Sequence, residues 1–157
     1  MYEPILHVVL YEPEIPLNTG NIGRTCVAVR AKLWLVRPLG FQIEDRQLKR
    51  AGLDYWEHLD WEIVDNYQML LERLGPRSMW FFSKRASRLY TEASFRPGDA
   101  LVFGSETRGL PPSLLEGQPD RALRIPICAQ VRSLNLAVSV GVAVYEALRQ
   151  LGFHRLY

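Results

Sequence analysis

The sequence predicts an α/β fold: a mainly parallel sheet with helices on both faces. Three observations carry that prediction. Apolar runs of strand length recur at residues 5–10 (ILHVVL), 33–36 (LWLV), 78–83 (SMWFFS) and 100–104 (ALVFG). They are continuous rather than alternating, as strands covered on both faces are. The segments between several of them carry helical spacing with punctuation at their ends. A chain of 157 residues with 48% apolar and 11% aromatic content also has enough apolar material for one compact core, so residues 1–157 are expected to form a single domain.

Taken in order, the β-branched run at 5–10 ends in Glu-Pro and reads as a buried strand. Pro16 opens a helix predicted through residue 31, with Asn18, Thr19 and Asn21 polar at its head and Ile22, Cys26, Val27 and Val29 behind them. Residues 33–36 form a second strand, closed by Pro38 and Gly40. Residues 44–58 (EDRQLKRAGLDYWEH) carry charges at helical spacing and read as a short surface helix followed by a turn. A third strand is expected at 61–64, then an amphipathic helix in NYQMLLERLG with Gly75 and Pro76 as stop signals. After the strands at 78–83 and 100–104 comes one at 124–127, and the last helix is predicted over 133–151. No repeat, low-complexity tract or flexible linker interrupts this order.

Composition excludes several classes. The 19 basic and 17 acidic residues give a formal charge of +2, too small to indicate nucleic acid by itself, so any basic signal must be local. The two cysteines, Cys26 and Cys128, lie in no CxxC or Cys/His ligand spacing, which points to no zinc site, no disulfide framework and a reduced, cytoplasmic location. The N-terminus lacks the charged flank and length of a signal peptide. No segment reaches the roughly 18 apolar residues of a membrane span. His7, His58 and His154 share no motif and receive no catalytic role.

Three loops each follow a strand and precede a helix, where open α/β sheets place ligands: PLNTGNIGRTC, VFGSETRGLPPS and IPICAQVRSLN. Each admits two readings. In the second, Gly104 and Gly109 bracket Ser105, Glu106, Thr107 and Arg108; this is either a backbone cradle for a ligand or an ordinary glycine-bounded loop before a Pro-initiated helix. Its spacing is neither GxGxxG nor GxxxxGK[ST]. In the first, Asn18, Asn21 and Arg24 are spaced to share one side of a helix start, or they are a cap and a solvated arginine. In the third, Ser133 reads as a helix cap and Asn135 as a first-turn residue.

In sequence order, NTGNIGR, FGSETRGLP, and IPI followed by RSLNL resemble the three signature motifs of the SpoU branch of the SPOUT RNA methyltransferases. The match spans nearly the whole chain. YEPEIPLNTGNIGR and KRAGLDYWEH are further similar to the small TrmL-type tRNA 2′-O-methyltransferases of the wobble cytidine or uridine. The resemblance implies a C-terminal deep trefoil knot, a homodimer, S-adenosyl-L-methionine as cofactor and the anticodon stem-loop of tRNA as substrate. It places the cofactor on Phe82, Gly104, Glu106, Gly109, Ile125, Ile127 and Ser133.

The resemblance also implies catalysis by Arg24, with Asn18, Ser133 and Asn135 positioning ribose or cofactor. Methyl transfer to a ribose hydroxyl depends on alignment, and the RNA supplies the nucleophile, so no Ser-His-Asp array and no metal is required. A guanidinium stays protonated, which makes Arg24 more suited to orienting phosphate and stabilising an alkoxide than to accepting a proton. RNA contacts are expected from Arg24, Arg46, Lys49, Arg50, Arg108 and Arg132, with Tyr55 and Trp56 available for base stacking. A solvated helix face accounts equally well for Arg46, Lys49 and Arg50. The chain departs from the wobble-enzyme pattern at Ala137 and Val138, where Ser-Asn is usual, and at Gln130 and Val131, where Asp-Ser is usual. Those departures bear on the substrate, and the alternatives are another tRNA nucleoside, ribosomal RNA, or a non-catalytic knotted RNA-binding dimer.

Overall fold

The computed structural model describes residues 3–44, 46, 48, 50, 55–153 and 156–157. Its strands and helices are β1 (His7–Tyr11), α1 (Pro16–Val29), β2 (Lys32–Val36), β3 (Trp61–Val64), α2 (Tyr67–Leu74), β4 (Met79–Phe82), β5 (Arg88–Leu89), β6 (Ala100–Phe103), α3 (Pro112–Glu116), β7 (Ala122–Arg124) and α4 (Leu136–Leu151). The strands described form one seven-stranded sheet in the order β3-β2-β1-β6-β4-β7-β5. Every pairing in it is parallel. None of the helices described is long and apolar enough to cross a membrane.

Because successive side chains alternate across a strand, each continuous apolar run supplies two cores. Val8, Leu10, Leu33, Leu35, Leu101 and Phe103 pack against Ile22, Cys26 and Val29 of α1 and Val140, Ala143, Val144, Ala147 and Leu148 of α4. Val9, Trp34, Val36, Phe81 and Val102 face the other way, against Leu70 and Leu74 of α2 and, near α3, Leu110. Helices therefore cover both faces, as the unbroken hydrophobic runs predict.

Several boundaries differ from the sequence reading. The first strand runs from His7 to Tyr11 rather than over 5–10, and α1 ends at Val29 rather than 31, because Arg30 takes a left-handed C-cap conformation with φ of 60°. The seventh strand ends at Arg124 rather than beginning there, because Pro126 has no N–H to donate to a ladder. The last helix is capped by Asn135, whose Oδ1 accepts from the backbone N–H of Ala137 at 2.8 Å and Val138 at 3.3 Å. Ser133 lies before this cap and is exposed. The two-residue β5 is half-buried and carries no apolar run that would announce it.

Strand β6 sits out of chain order in the sheet. It comes after β4 and β5 in the sequence yet pairs between β1 and β4. The loops leaving β4, β6 and β7 consequently emerge side by side, next to the start of α1.

Candidate functional site

Those loops enclose a cleft of about 720 Å³, within the range of small-molecule and cofactor sites. Its lining includes the apolar Phe82, Phe103, Leu123, Ile125 and Ile127. Phe82 and Phe103, register partners on β4 and β6, stack with ring centroids 4.7 Å apart and planes 15° apart. Around this floor stand Asn18, Glu106, Ser133 and Asn135, together with Lys84, Arg85, Arg108 and Arg132.

The second loop closes on itself. Ser105 and Gly109 form an antiparallel bridge, with the Gly109 N–H donating to the Ser105 carbonyl at 2.9 Å. A Cβ on Gly104 would sit 2.0 Å from the Gly109 carbonyl carbon and 2.2 Å from the Leu110 nitrogen, so this position excludes every side chain. The space glycine leaves at 104 is filled by the chain's own backbone. Gly109 is needed for a different reason, its φ of +66°.

Glu106 braces the residues that lead into α1 rather than its first-turn N–H groups. The N-cap of α1 is Ile15, which has no side chain able to accept from the free N–H groups of the first turn. The Glu106 carboxylate accepts from the Glu14 N–H and the Ile15 N–H, each at 2.8 Å, and from Asn18 Nδ2 at 3.2 Å. A negative charge there also meets the positive end of the helix dipole. In return, Glu14 Oε1 accepts from Thr107 Oγ1 at 2.6 Å and from its N–H at 3.1 Å. Those two bonds, the side-chain one foremost, hold the Glu14 carboxyl below the usual carboxylate range.

Asn18 continues the chain of bonds. Its side chain is buried, and its Oδ1 accepts from Asn135 Nδ2 at 3.0 Å. Thus Glu106 of the second loop, Asn18 of the first and Asn135 of the third are tied together at the edge of the cleft. Spacing within α1 does not put Asn18, Asn21 and Arg24 in one environment: Asn18 points inward, whereas Asn21 and Arg24 are exposed.

Of the residues singled out from the sequence, Asn18, Phe82, Gly104, Glu106, Arg108, Gly109, Ile125, Ile127, Arg132, Ser133 and Asn135 all line the cleft. Arg24, Arg46 and Arg50 do not. Arg46 and Arg50 are exposed on helical backbone, and Lys49 lies outside the described residues. Trp56 is not a free stacking platform, since it packs on Trp61 with centroids 5.1 Å apart. Lys84 and Arg85 were missed by the sequence reading. The signal was present: they follow a strand, β4, just as the three loops follow theirs. Within the lining, Glu106 is the one carboxylate, and its oxygens are engaged, so the rim facing solvent is basic.

Comparison with known proteins adds identity to this geometry. A family model described as the SpoU rRNA Methylase family matches residues 5–145. A tRNA (cytidine(34)-2′-O)-methyltransferase of Saccharophagus degradans is 46% identical over 153 residues, covering 95% of this chain and 97% of the relative. The enzyme of the same name from Aeromonas hydrophila is 45% identical, over 95% and 96% of the two chains. A solved structure described as giving structural insights into the 2-OH methylation of C/U34 on tRNA is 53% identical, with a TM-score of 0.88 over 93% of this chain and 95% of that one.

Proposed function

The chain belongs to the SpoU rRNA methylase family, and from that premise we propose that it transfers a methyl group from S-adenosyl-L-methionine to the ribose 2′-hydroxyl of the wobble cytidine or uridine of tRNA. The observation that carries the reading is the bonded set Glu106, Asn18 and Asn135, which joins three loops around one cleft at the carboxyl ends of parallel strands. The near-full-length likeness to wobble-cytidine enzymes favours this substrate over ribosomal RNA. It also favours a catalyst over a non-catalytic RNA binder.

The cleft suits the cofactor's chemistry. An apolar floor of Phe82, Phe103, Leu123 and Ile125 matches a flat purine, and the cationic rim at Lys84, Arg85 and Arg132 matches a carboxylate. When bound, S-adenosyl-L-methionine would supply an electrophilic methyl group to the ribose oxygen. Ser133 and Asn135 would then position cofactor and ribose, with Asn135 held by its bonds to Asn18 and to the start of α4. Glu106 acts by fixing α1 and the second loop. Arg24 would donate charge-assisted hydrogen bonds to the ribose oxygen as negative charge develops, and to a neighbouring phosphate.

Further parts of the reading concern assembly. Leu17 on α1 and Val138 and Tyr145 on α4 are 49%, 51% and 47% exposed, an apolar face suited to a second copy of the chain. Arg24 is seven residues from Leu17 on α1, so the two share a side of the helix and pairing would put Arg24 beside the seam. Arg46, Lys49, Arg50, Arg108 and Arg132 would hold phosphates of the anticodon stem-loop. Gln150 near the end of α4 bonds back to Ala93 and Phe95 in the connection leading to β6, and membership of the family supports reading the C-terminal part as a deep trefoil knot. A tRNA substrate would put the protein in the cytoplasm.

The test is mass spectrometry of tRNA nucleosides from cells with and without the gene. Loss of 2′-O-methylation at position 34 is expected; an unchanged position 34 with loss elsewhere would reassign the substrate. Arg24→Ala, assayed by single-turnover methylation, should slow transfer about a hundredfold to a thousandfold while leaving cofactor affinity unchanged. Wild-type transfer by that variant would remove Arg24 from the mechanism.

A further inference from the structure

The described contacts of Arg24 are both with one side chain. Its Nη2 donates to the Tyr55 hydroxyl at 3.2 Å, and its guanidinium carbon lies 4.7 Å from the centre of the Tyr55 ring. Among the described residues, none of the ion pairs includes Arg24. This is an unusual way to hold an exposed arginine. A carboxylate would fix the side chain but occupy its donors and cancel its charge. An aromatic face and a neutral hydroxyl restrain the guanidinium while most of its donors, and all of its charge, stay available.

Tyr55 is itself held against α1. It immediately precedes a 3-10 turn, Trp56–His58, in which the His58 N–H donates to the Tyr55 carbonyl at 2.9 Å. The turn sits on α1 next to Arg24. A Cβ on Gly23 would be 3.1 Å from Leu59 Cδ2 and 3.3 Å from Trp56 Cζ3, so glycine at 23 permits this close seating. Trp56 is braced in turn by Trp61. Contacts on the residue before Arg24 thus set the distance between the Tyr55 ring and the guanidinium.

We propose that Tyr55 is a positioning residue for methyl transfer: it pre-orients the Arg24 guanidinium, fully charged, for the ribose oxygen and phosphate of the RNA. This rests on the role assigned to Arg24 under the proposed function. Its part is to reduce the rotamer freedom that an exposed arginine would otherwise lose on reaching the transition state. Arg24 takes one face of the Tyr55 ring.

The experiment pairs Tyr55→Phe and Tyr55→Leu with Arg24→Ala in a double-mutant cycle. The readouts are single-turnover methylation of anticodon stem-loop RNA, cofactor titration, and the proton–nitrogen spectrum of the Arg24 side chain. Tyr55→Leu should slow transfer about tenfold to a hundredfold, the scale of a misplaced reacting group, with cofactor affinity unchanged. Tyr55→Phe keeps the stacked face and should recover most of that rate. In the Arg24→Ala background, Tyr55→Leu should have no further effect, because the two residues act as one unit. The Arg24 side-chain resonance, shifted by the ring in wild type and in Tyr55→Phe, should move to a free-arginine position in Tyr55→Leu. Additive losses in the cycle, or a wild-type rate in Tyr55→Leu, would overturn the proposal. If the wild-type protein fails to methylate the RNA, the function reading fails instead. The resonance then still decides whether Tyr55 holds Arg24, and an unshifted signal in wild type would overturn the contact itself.

Discussion

Glu106→Gln tests whether the second loop acts through the start of α1. The substitution keeps the size of the side chain and one acceptor oxygen, but turns the other terminal oxygen into an amide nitrogen. In the native site the two oxygens accept from the N–H of Glu14 and the N–H of Ile15, both at 2.8 Å, and one of them also from Asn18. Whichever way the new amide is turned, its NH₂ faces a donor. A hydrogen bond to a charged group contributes about 1.5–3 kcal/mol, and the carboxylate's interaction with the helix dipole adds about 0.3–1 kcal/mol. Ile15 is exposed and water can replace part of the loss there, so the expected cost is about 2 kcal/mol. For a chain of this size that lowers Tm by about 4–8 °C. Calorimetric melting gives the Tm, and a cofactor titration should show weaker binding, since Asn18 and Asn135 lose their anchor at the cleft. A Tm indistinguishable from wild type, with unchanged cofactor affinity, would refute the argument that Glu106 fixes the entry to α1 and sets the cleft.

Gly104→Ala should destabilise the protein far more than Gly109→Ala, because the first meets backbone at 2.0 Å whereas the second has open space and only a positive φ to accommodate; about 1–2 kcal/mol is expected for Gly109→Ala, and equal melting temperatures for the two variants would contradict this. His7, pushed down to about 4 from 6.5 by burial and then by the charges of Arg77 and Lys32, stays neutral in the folded chain while the unfolded chain takes up a proton. Its contribution is therefore complete above pH 6.5 and lost as pH falls towards 4, about 2 kcal/mol once solvent screening is allowed for; urea unfolding of His7→Gln should show a correspondingly shallower decline across that window than wild type. Gly141→Leu brings its new Cβ within 4 Å of no heavy atom beyond its own helix and chain neighbours, so the protomer should fold normally while sedimentation at micromolar concentration shows monomer in place of the proposed dimer. A dimer that survives would mean that α4 does not pair through this face.

The architecture was legible where a continuous apolar run met a clear stop. Residues 5–10, 33–36, 78–83 and 100–104 all overlap observed strands, because burial on both faces leaves a compositional mark. The strand at 122–124 was displaced in the reading because Ile125 and Ile127 look like strand residues while Pro126 forbids their pairing. The cleft was legible as three loops, yet the bonds between them were not. Nothing local marks Glu106 as the partner of the backbone leading into a helix that begins about 90 residues earlier, and nothing local distinguishes Ser133 from Asn135 as the cap of α4. Lys84 and Arg85 carry no such mark: β4 ends in a short basic turn without the glycine or asparagine that sets the other three loops apart.

The amide at position 18 shows why the three loops must be read together. Asn18 is buried, donates to a Glu106 oxygen and accepts from Asn135. Only a side chain with both a donor and an acceptor at that reach can do this. Aspartate would set a carboxylate against the Glu106 carboxylate, and leucine would leave the Asn135 amide without its partner inside the network. The Asn135 amide is directed by this bond while its own oxygen caps α4. The start of α1, the closed second loop and the start of α4 therefore take up their positions as one unit. The wall of the cleft that carries Asn135 and the start of the helix that carries Arg24 are thus held by the same few bonds.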